Sequence, residues 1–366
     1  MNRKTNSLTR DTGPELLRIV GMFLIMFHHF AQHGGLDYTT FSISNAYLSI
    51  IEFGGKIGVN IFILITGYFS CSSQFSLKKL FKLIFAVEFY SVLLLVLSIL
   101  TGAQDLSIML LIKGFFPLLF GNGYWFVTLY IILYCISPIL NAGISKVSNK
   151  NLLFIIIFLL MIYCVLPNTI GALKQLNDFG FSNIVWFIVL YLLGGYFRRY
   201  SSVFISYPNI SFPLLVFSII TMLTARTIQL YIGIDSEGIA ADLISIMANI
   251  DANAIMPFII SVLAFCAFLR LKFEANSLFF DISKATFGVY LIHDNLLFRK
   301  YMWESLIQTK NMYESFYFIP LSILSVLILY MICSLIEIFR EKFIEKRIFS
   351  NFKVCAAIFS IEKRII

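Results

Sequence analysis

The stretch from Glu15 to His33, ELLRIVGMFLIMFHHFAQH, combines a long apolar run with ionisable groups at both ends. In an α-helix, Arg18 and His29 lie eleven residues apart, hence on nearly the same face and about 16 Å apart along the axis. Glu15 lies on that face as well, one turn before Arg18. Such an apolar run predicts a membrane span, and ionisable groups within a span indicate a function because they are costly to keep there.

The composition of the whole chain predicts an integral membrane protein. Of its 366 residues, 59% are hydrophobic and only 13% are charged, which excludes a soluble globular domain. Apolar runs of about 17 to 25 residues recur, long enough to cross a bilayer as helices. We predict an all-α, polytopic protein with about ten transmembrane helices. One transmembrane domain would cover residues 15–340, between a segment at 1–14 and an amphipathic tail at 341–366.

The predicted spans cover about residues 16–30, 46–69, 83–100, 124–142, 152–166, 184–197, 212–232, 254–269, 286–298 and 316–339. The net charge of +8 resides in short basic clusters between these spans, as topology requires, so we predict no nucleic-acid partner. Treating residues 106–120 as a re-entrant or interfacial segment keeps the clusters at Lys146 and Arg198 inside. Both termini are then cytoplasmic, in a multi-pass protein of a bacterial inner or plasma membrane. Arg299 and Lys300 stay outside, in mild conflict with the rule.

Under this topology His28, His29, His33 and His293 all lie in the outer half of the membrane. A histidine can take a proton from a hydroxyl near neutral pH, so His29 is a candidate general base. The alternative is that such histidines only hydrogen-bond to backbone or headgroups. Helical spacing favours His29 over His28, which is rotated by about 100°. His29 and His33 have the i, i+4 spacing that can chelate a metal, but no third ligand is near in sequence and we predict no metal site.

The other end of the first helix carries the chemistry of an anion site. Arg18 together with Lys78, Lys79 and Lys82 could bind phosphates on the cytoplasmic side, since arginine binds them through two hydrogen bonds. A snorkelling arginine beside Glu15, and lysines that only mark the cytoplasmic side, are the alternatives.

Several segments together resemble the membrane acyltransferase-3 family over residues 14–339. They are ELLR with the histidine eleven residues after its arginine, GVNIFILITGYF (58–69), the basic segment that follows, GYWFVTLYIILYCISPIL (123–140) and FGVYLIHDN (287–295). The resemblance maps the family's functional residues to Glu15, Arg18, His29, Tyr290 and His293. Asn60 departs from the family, because many members have Asp there. Asp294 and Asn295 follow His293, where a proline two residues on is common.

The resemblance implies an O-acyltransferase that moves an acyl group, usually acetyl, from acyl-CoA to a hydroxyl of a cell-surface polysaccharide or its lipid-linked precursor. Acyl-CoA would be a co-substrate, with no bound cofactor, and the other partners would be the glycan and the lipid bilayer. His29, Arg18 and Glu15 are the predicted catalytic residues. The predicted substrate-binding residues are Lys78, Lys79, Lys82, Trp125, Tyr290 and His293. The alternative is a transporter, flippase or polymerase of polysaccharide precursors, although no internal repeat is evident.

Overall fold

The computed structural model describes residues 11–37, 42–120, 124–170, 182–200, 209–232 and 238–351. Every regular element in these ranges is a helix, which confirms the all-α prediction. In chain order the helices are α1 (Thr12–His33), α2 (Ile43–Glu52), α3 (Gly54–Ser70), α4 (Leu77–Leu100), α5 (Ile108–Phe115), α6 (Pro117–Phe120), α7 (Trp125–Lys146), α8 (Asn149–Leu160), α9 (Leu166–Thr169), α10 (Ser182–Arg199), α11 (Ser211–Ile232), α12 (Ile239–Ala248), α13 (Ile255–Phe268), α14 (Ser277–His293), α15 (Thr309–Tyr313), α16 (Phe318–Phe339) and α17 (Lys346–Phe349). Wider π-type turns occur at Met161–Val165, Tyr301–Leu306 and Arg340–Glu345.

Seven stretches of the described chain are long and apolar enough to cross a membrane. They are Thr12–His33, Ile43–Ser70, Leu77–Leu100, Trp125–Lys146, Asn149–Thr169, Ser211–Tyr231 and Phe318–Phe349. The other three predicted spans correspond to α10, α13 and α14, which are shorter or less apolar. The chain is therefore a multispan helical protein, and the count of ten stays a prediction.

Two predicted spans differ in detail from the structure, and a third segment agrees with its prediction. The span at 46–69 consists of two helices, α2 and α3, which are separated at Phe53. The span at 286–298 is instead α14, which begins earlier and ends at His293, so Asp294 lies just beyond the helix. Residues 106–120 contain only the short helices α5 and α6. At about 1.5 Å per residue neither crosses about 30 Å of hydrocarbon alone, which favours the interfacial prediction.

Helix α3 packs between α1 and α10 through backbone contacts that only glycine permits. A Cβ at Gly58 would lie 2.5 Å from the Gly21 carbonyl oxygen of α1, and one at Gly67 would overlap the Tyr191 carbonyl oxygen of α10. Small residues let membrane helices approach this closely. This contact fixes how far α1, and with it the face that carries Arg18 and His29, stands from α3.

We expect Gly58→Ala to destabilise the protein by about 1–3 kcal/mol, because the added methyl overlaps a rigid backbone atom. The measurement is the unfolding temperature in detergent, determined by fluorescence-detected gel filtration of heated samples. Gly143→Ala is the matched control, since a Cβ at Gly143 on α7 meets no atom within 4 Å. Equal unfolding temperatures for the two variants would contradict the close packing of α1 on α3.

Candidate active site

A cavity of about 370 Å³ runs alongside α1 and connects the two predicted functional ends of that helix. Arg18 and His29 both line it, about 16 Å apart along the helix axis. We call the part around Arg18 the basic end, where the cationic lining residues are Arg18, Lys79, Lys82, Lys284 and Arg340. We call the part around His29 the histidine end, where the neighbouring lining residues are His28, Lys56, Trp125 and Tyr290.

Most of the predicted site residues meet in this cavity, and three do not line it. Glu15 and His293 lie behind the lining and contact residues that form it. Lys78 lines an adjoining depression, which shares Lys82 and Lys284 with the cavity. The structure therefore brings Lys79 and Lys82 to the cavity and leaves Lys78 outside it.

A chain of two hydrogen bonds determines which nitrogen of His29 is free. His293 Nδ1 lies 2.6 Å from the Val289 carbonyl oxygen, which can only accept, so Nδ1 donates. Neutral His293 then has its lone pair on Nε2, which lies 2.9 Å from His29 Nδ1. His29 Nδ1 therefore donates to His293, and the lone pair of neutral His29 is on Nε2. That arrangement equips Nε2 to accept a proton.

Asp294 completes the histidine end, although the sequence assigned it no role. Its Oδ2 lies 3.7 Å from His29 Nε2, and its Oδ1 lies 3.4 Å from His33 Nε2 and 3.0 Å from Arg299 Nη1. The carboxylate is buried, so its attraction for a positive charge on His29 is weakly screened. Asp294 can thus stabilise the imidazolium that forms when His29 takes a proton.

His28 also lines the cavity, which the rotation of 100° between neighbouring residues does not predict. The cavity extends round α1 to Gly55 of α3, whose missing side chain leaves room for the His28 ring. His28 Nδ1 donates to the Glu52 carbonyl oxygen over 2.6 Å. His28 is therefore held at the break between α2 and α3. His29, in contrast, contacts His293 and Asp294.

At the basic end, Glu15 and Arg18 form the predicted pair on one helix face. Arg18 Nη1 lies 3.3 Å from Glu15 Oε2. The Glu15 carboxylate also accepts a hydrogen bond from the Ser283 hydroxyl of α14. Glu15 is buried whereas Arg18 is partly exposed, so the carboxylate holds a guanidinium that faces the cavity.

A network around Arg340 forms the rest of the basic end. Arg340 donates to Glu337 over 2.7 and 2.9 Å and to Glu345 over 2.9 Å. Lys82 Nζ lies 2.8 Å from Glu345 Oε1, so this lysine already has a carboxylate partner, and its role as a phosphate ligand stays a prediction. The basic end has five cationic side chains and four carboxylates, which are Glu15 behind the lining and Glu337, Glu341 and Glu345 in it. These described residues leave an excess of one positive charge.

The sequence model of one protein family, described as an acyltransferase domain (Acyl_transf_3), matches residues 11–336. The chain belongs to the acyltransferase-3 family. No curated protein and no solved structure matches the chain. The family confirms the resemblance found in the motifs, and the apolar helices agree with a membrane acyltransferase.

Two parts of the candidate site have no role in the sequence-based prediction. Asp294 directly follows His293, but its position beside His29 depends on α14 ending at His293. Arg340 is one of the basic residues that follow the last predicted span, and Glu337 three residues before it has the spacing of a helical ion pair. That spacing, within an apolar helix, is the signal that could have identified the network.

We expect His293→Leu to lower acyl transfer by about 10- to 100-fold, the usual cost of losing a residue that orients a functional histidine. His293→Gln should retain more activity, because its amide oxygen can still accept from His29 Nδ1. The measurement is the transfer rate of purified variants with matched unfolding temperatures. Equal rates for the Leu and Gln variants would show that the hydrogen bond does not orient His29.

Proposed function

We propose that this acyltransferase moves an acyl group, acetyl in the first instance, from acyl-CoA to a hydroxyl of a cell-surface polysaccharide or its lipid-linked precursor. The observation that carries the proposal is the single cavity, with an excess of cations at one end and a histidine with a free Nε2 at the other. The family supports acyl transfer over transport or polymerisation. The acyl donor and the acceptor class come from the resemblance and from the chemistry of the two ends.

The donor would enter from the cytoplasmic side with its phosphates at the basic end. Arg18 presents a planar guanidinium that suits two-point binding of a phosphate, and Glu15 holds it in place. Lys79 lines the same end and pairs with no carboxylate in the described chain. The long, thin pantetheine arm would then lie along the cavity and bring the thioester to His29. This orientation places both termini in the cytoplasm and the histidine end outside.

The acceptor would reach the histidine end from the outer side of the membrane. Trp125 is partly exposed there, and Lys56 Nζ lies 5.0 Å from its ring centroid. An aromatic face beside a few polar groups is the usual character of a small-molecule site. Asn60 is not part of the proposed acceptor site, because it is buried and forms hydrogen bonds with the Trp186 side chain and the Ala252 carbonyl oxygen.

In the reaction, His29 Nε2 takes the proton of the acceptor hydroxyl as its oxygen attacks the thioester carbonyl. The carbon–sulfur bond then breaks, the CoA sulfur leaves, and imidazolium His29 returns the proton to it. Asp294 stabilises the imidazolium in between. The Tyr290 hydroxyl is buried at the cavity wall close to the Asp294 carboxylate, and makes no hydrogen bond of good geometry in the described chain. It is the candidate donor to the oxyanion.

Replacing His29 by Asn tests the base without removing the hydrogen bond to His293. The asparagine amide can still donate in the position of Nδ1, but nothing replaces Nε2, so acyl transfer should fall by about 10²- to 10⁴-fold. The measurement is thiol release from acetyl-CoA that depends on added glycan, in purified protein. His28→Asn is the control and should lose far less. A His29→Asn variant as active as wild type would exclude this mechanism.

Substitutions at the basic end test whether it binds the acyl donor. Lys79→Ala and Arg18→Gln should each raise the Kd for acetyl-CoA, by about 10-fold for Arg18→Gln, because a charge-assisted hydrogen bond is lost. Lys78→Ala is the matched control, since Lys78 lies outside the cavity. The measurement is equilibrium binding of radiolabelled acetyl-CoA. Equal weakening by Lys78→Ala would mean that general positive charge, and no specific site, attracts the donor.

A further inference from the structure

The structure supplies the third metal ligand that the sequence did not reveal. His29 and His33 lie one turn apart on α1, and Asp294 reaches both from the end of α14. One ligand atom from each of the three side chains lies within 4.8 Å of the others. Ligands that share a zinc ion at about 2.0–2.1 Å lie roughly 3.3 Å apart. Small side-chain rotations therefore bring these three atoms to a common ion.

We propose that His29, His33 and Asp294 form a binding site for Zn²⁺ whose occupation inhibits acyl transfer. Two imidazoles and one carboxylate are a ligand set that zinc binds in three-ligand sites, with a fourth position left for water. Magnesium and calcium prefer oxygen ligands and would bind this set poorly. The metal binding stands on these residues alone, whereas the inhibition rests on the proposed role of His29 as base.

The surroundings of His29 match those of a metal-ligating histidine. Such a histidine usually donates its second ring N–H to another group, which fixes the ring and leaves the other nitrogen for the metal. His29 Nδ1 donates to His293, whose own Nδ1 donates to the Val289 carbonyl oxygen. The free Nε2 therefore lies on the side of Asp294, where the ion would bind. The same lone pair cannot hold zinc and accept a proton from a hydroxyl.

His33 gives the ion a route into the site. Its side chain is 23% exposed, against 12% for His29 and 3% for Asp294. His33 has no role in the proposed acyl transfer, so it offers a substitution that weakens zinc binding without removing the base. Zinc that arrives from the histidine end would meet this residue first.

Cationic neighbours oppose the ion and make a second test available. Arg299 Nη1 lies 3.0 Å from Asp294 Oδ1, and Lys56 lines the same end of the cavity. The rings of His28 and His293 lie 5.4 and 5.1 Å from that of His29. Arg299 is the nearest fixed positive charge to the site. Its removal should therefore strengthen zinc binding, the opposite of what loss of a structural residue would do.

The experiment measures zinc binding and acyl transfer separately, in full-length protein from which any affinity tag has been cleaved. Binding is followed by isothermal titration with ZnCl₂, and MgCl₂ serves as the control. We expect one Zn²⁺ per chain, weakened at least about 10-fold by His33→Gln and tightened at least about threefold by Arg299→Gln. His28→Asn should bind zinc as wild type does. Inhibition of each variant is expressed relative to its own metal-free rate. The variant that binds zinc most tightly should be inhibited at the lowest zinc concentration, and a chelator should restore the rate.

Unchanged zinc binding in His33→Gln, or the absence of saturable binding in the wild type, would overturn the metal site and leave the proposed acyl transfer intact. A second outcome separates the two claims. In it, zinc binds one to one and His33→Gln abolishes the binding, but acyl transfer continues at saturating zinc. This outcome would overturn the inhibition and the role of His29 as base, while the metal site would stand.

Discussion

The hydrogen bond from His29 Nδ1 to His293 Nε2 joins α1 to α14 and decides the chemistry of the histidine end. Without it, either ring nitrogen of His29 could carry the proton. Because His293 is itself bonded to the Val289 carbonyl oxygen, the direction of both bonds is determined. A second contact between the same helices, from Ser283 to Glu15, holds the basic end. The two ends of the cavity are therefore attached to the same pair of helices.

Burial of charge explains why the polar groups form networks. An unpaired charge inside a low-dielectric region costs several kcal/mol, and loss of one partner of a buried pair typically costs about 3–5 kcal/mol. Arg340 pairs with Glu337 and Glu345 through Nε and Nη2, while its buried Nη1 has no hydrogen-bond partner in the described chain. Asp294 pairs with Arg299 and His33. Arg18 is also only partly satisfied, because among the described residues its guanidinium pairs with Glu15 alone and faces the cavity. Such partial satisfaction is what a binding site for an anion needs.

Sequence reasoning reached the fold class, the pairing of Glu15 with Arg18 and the shared cavity face of Arg18 and His29. Each follows from composition or from helical spacing within one segment. The ion pair of Lys82 with Glu345 joins distant segments. The break at Phe53 and the end of α14 at His293 interrupt runs that the sequence predicts as continuous spans. Spacing along the chain contains no information about them. The role of Asp294 belongs to this second group, since the two histidines that it contacts are 261 and 265 residues away in α1.

In the proposed complex, one acyl-CoA molecule spans the cavity from Arg18 to His29. Its most direct test is a cryo-electron microscopy structure with an acetyl-CoA analogue in which a methylene replaces the thioester sulfur. We expect phosphates at Arg18 and Lys79 and the analogue's carbonyl near His29. The gap between the carbonyl carbon and His29 should admit an acceptor oxygen at about 3–3.5 Å from that carbon. Phosphates at the histidine end, or a carbonyl that lies outside the cavity, would contradict this placement of the donor.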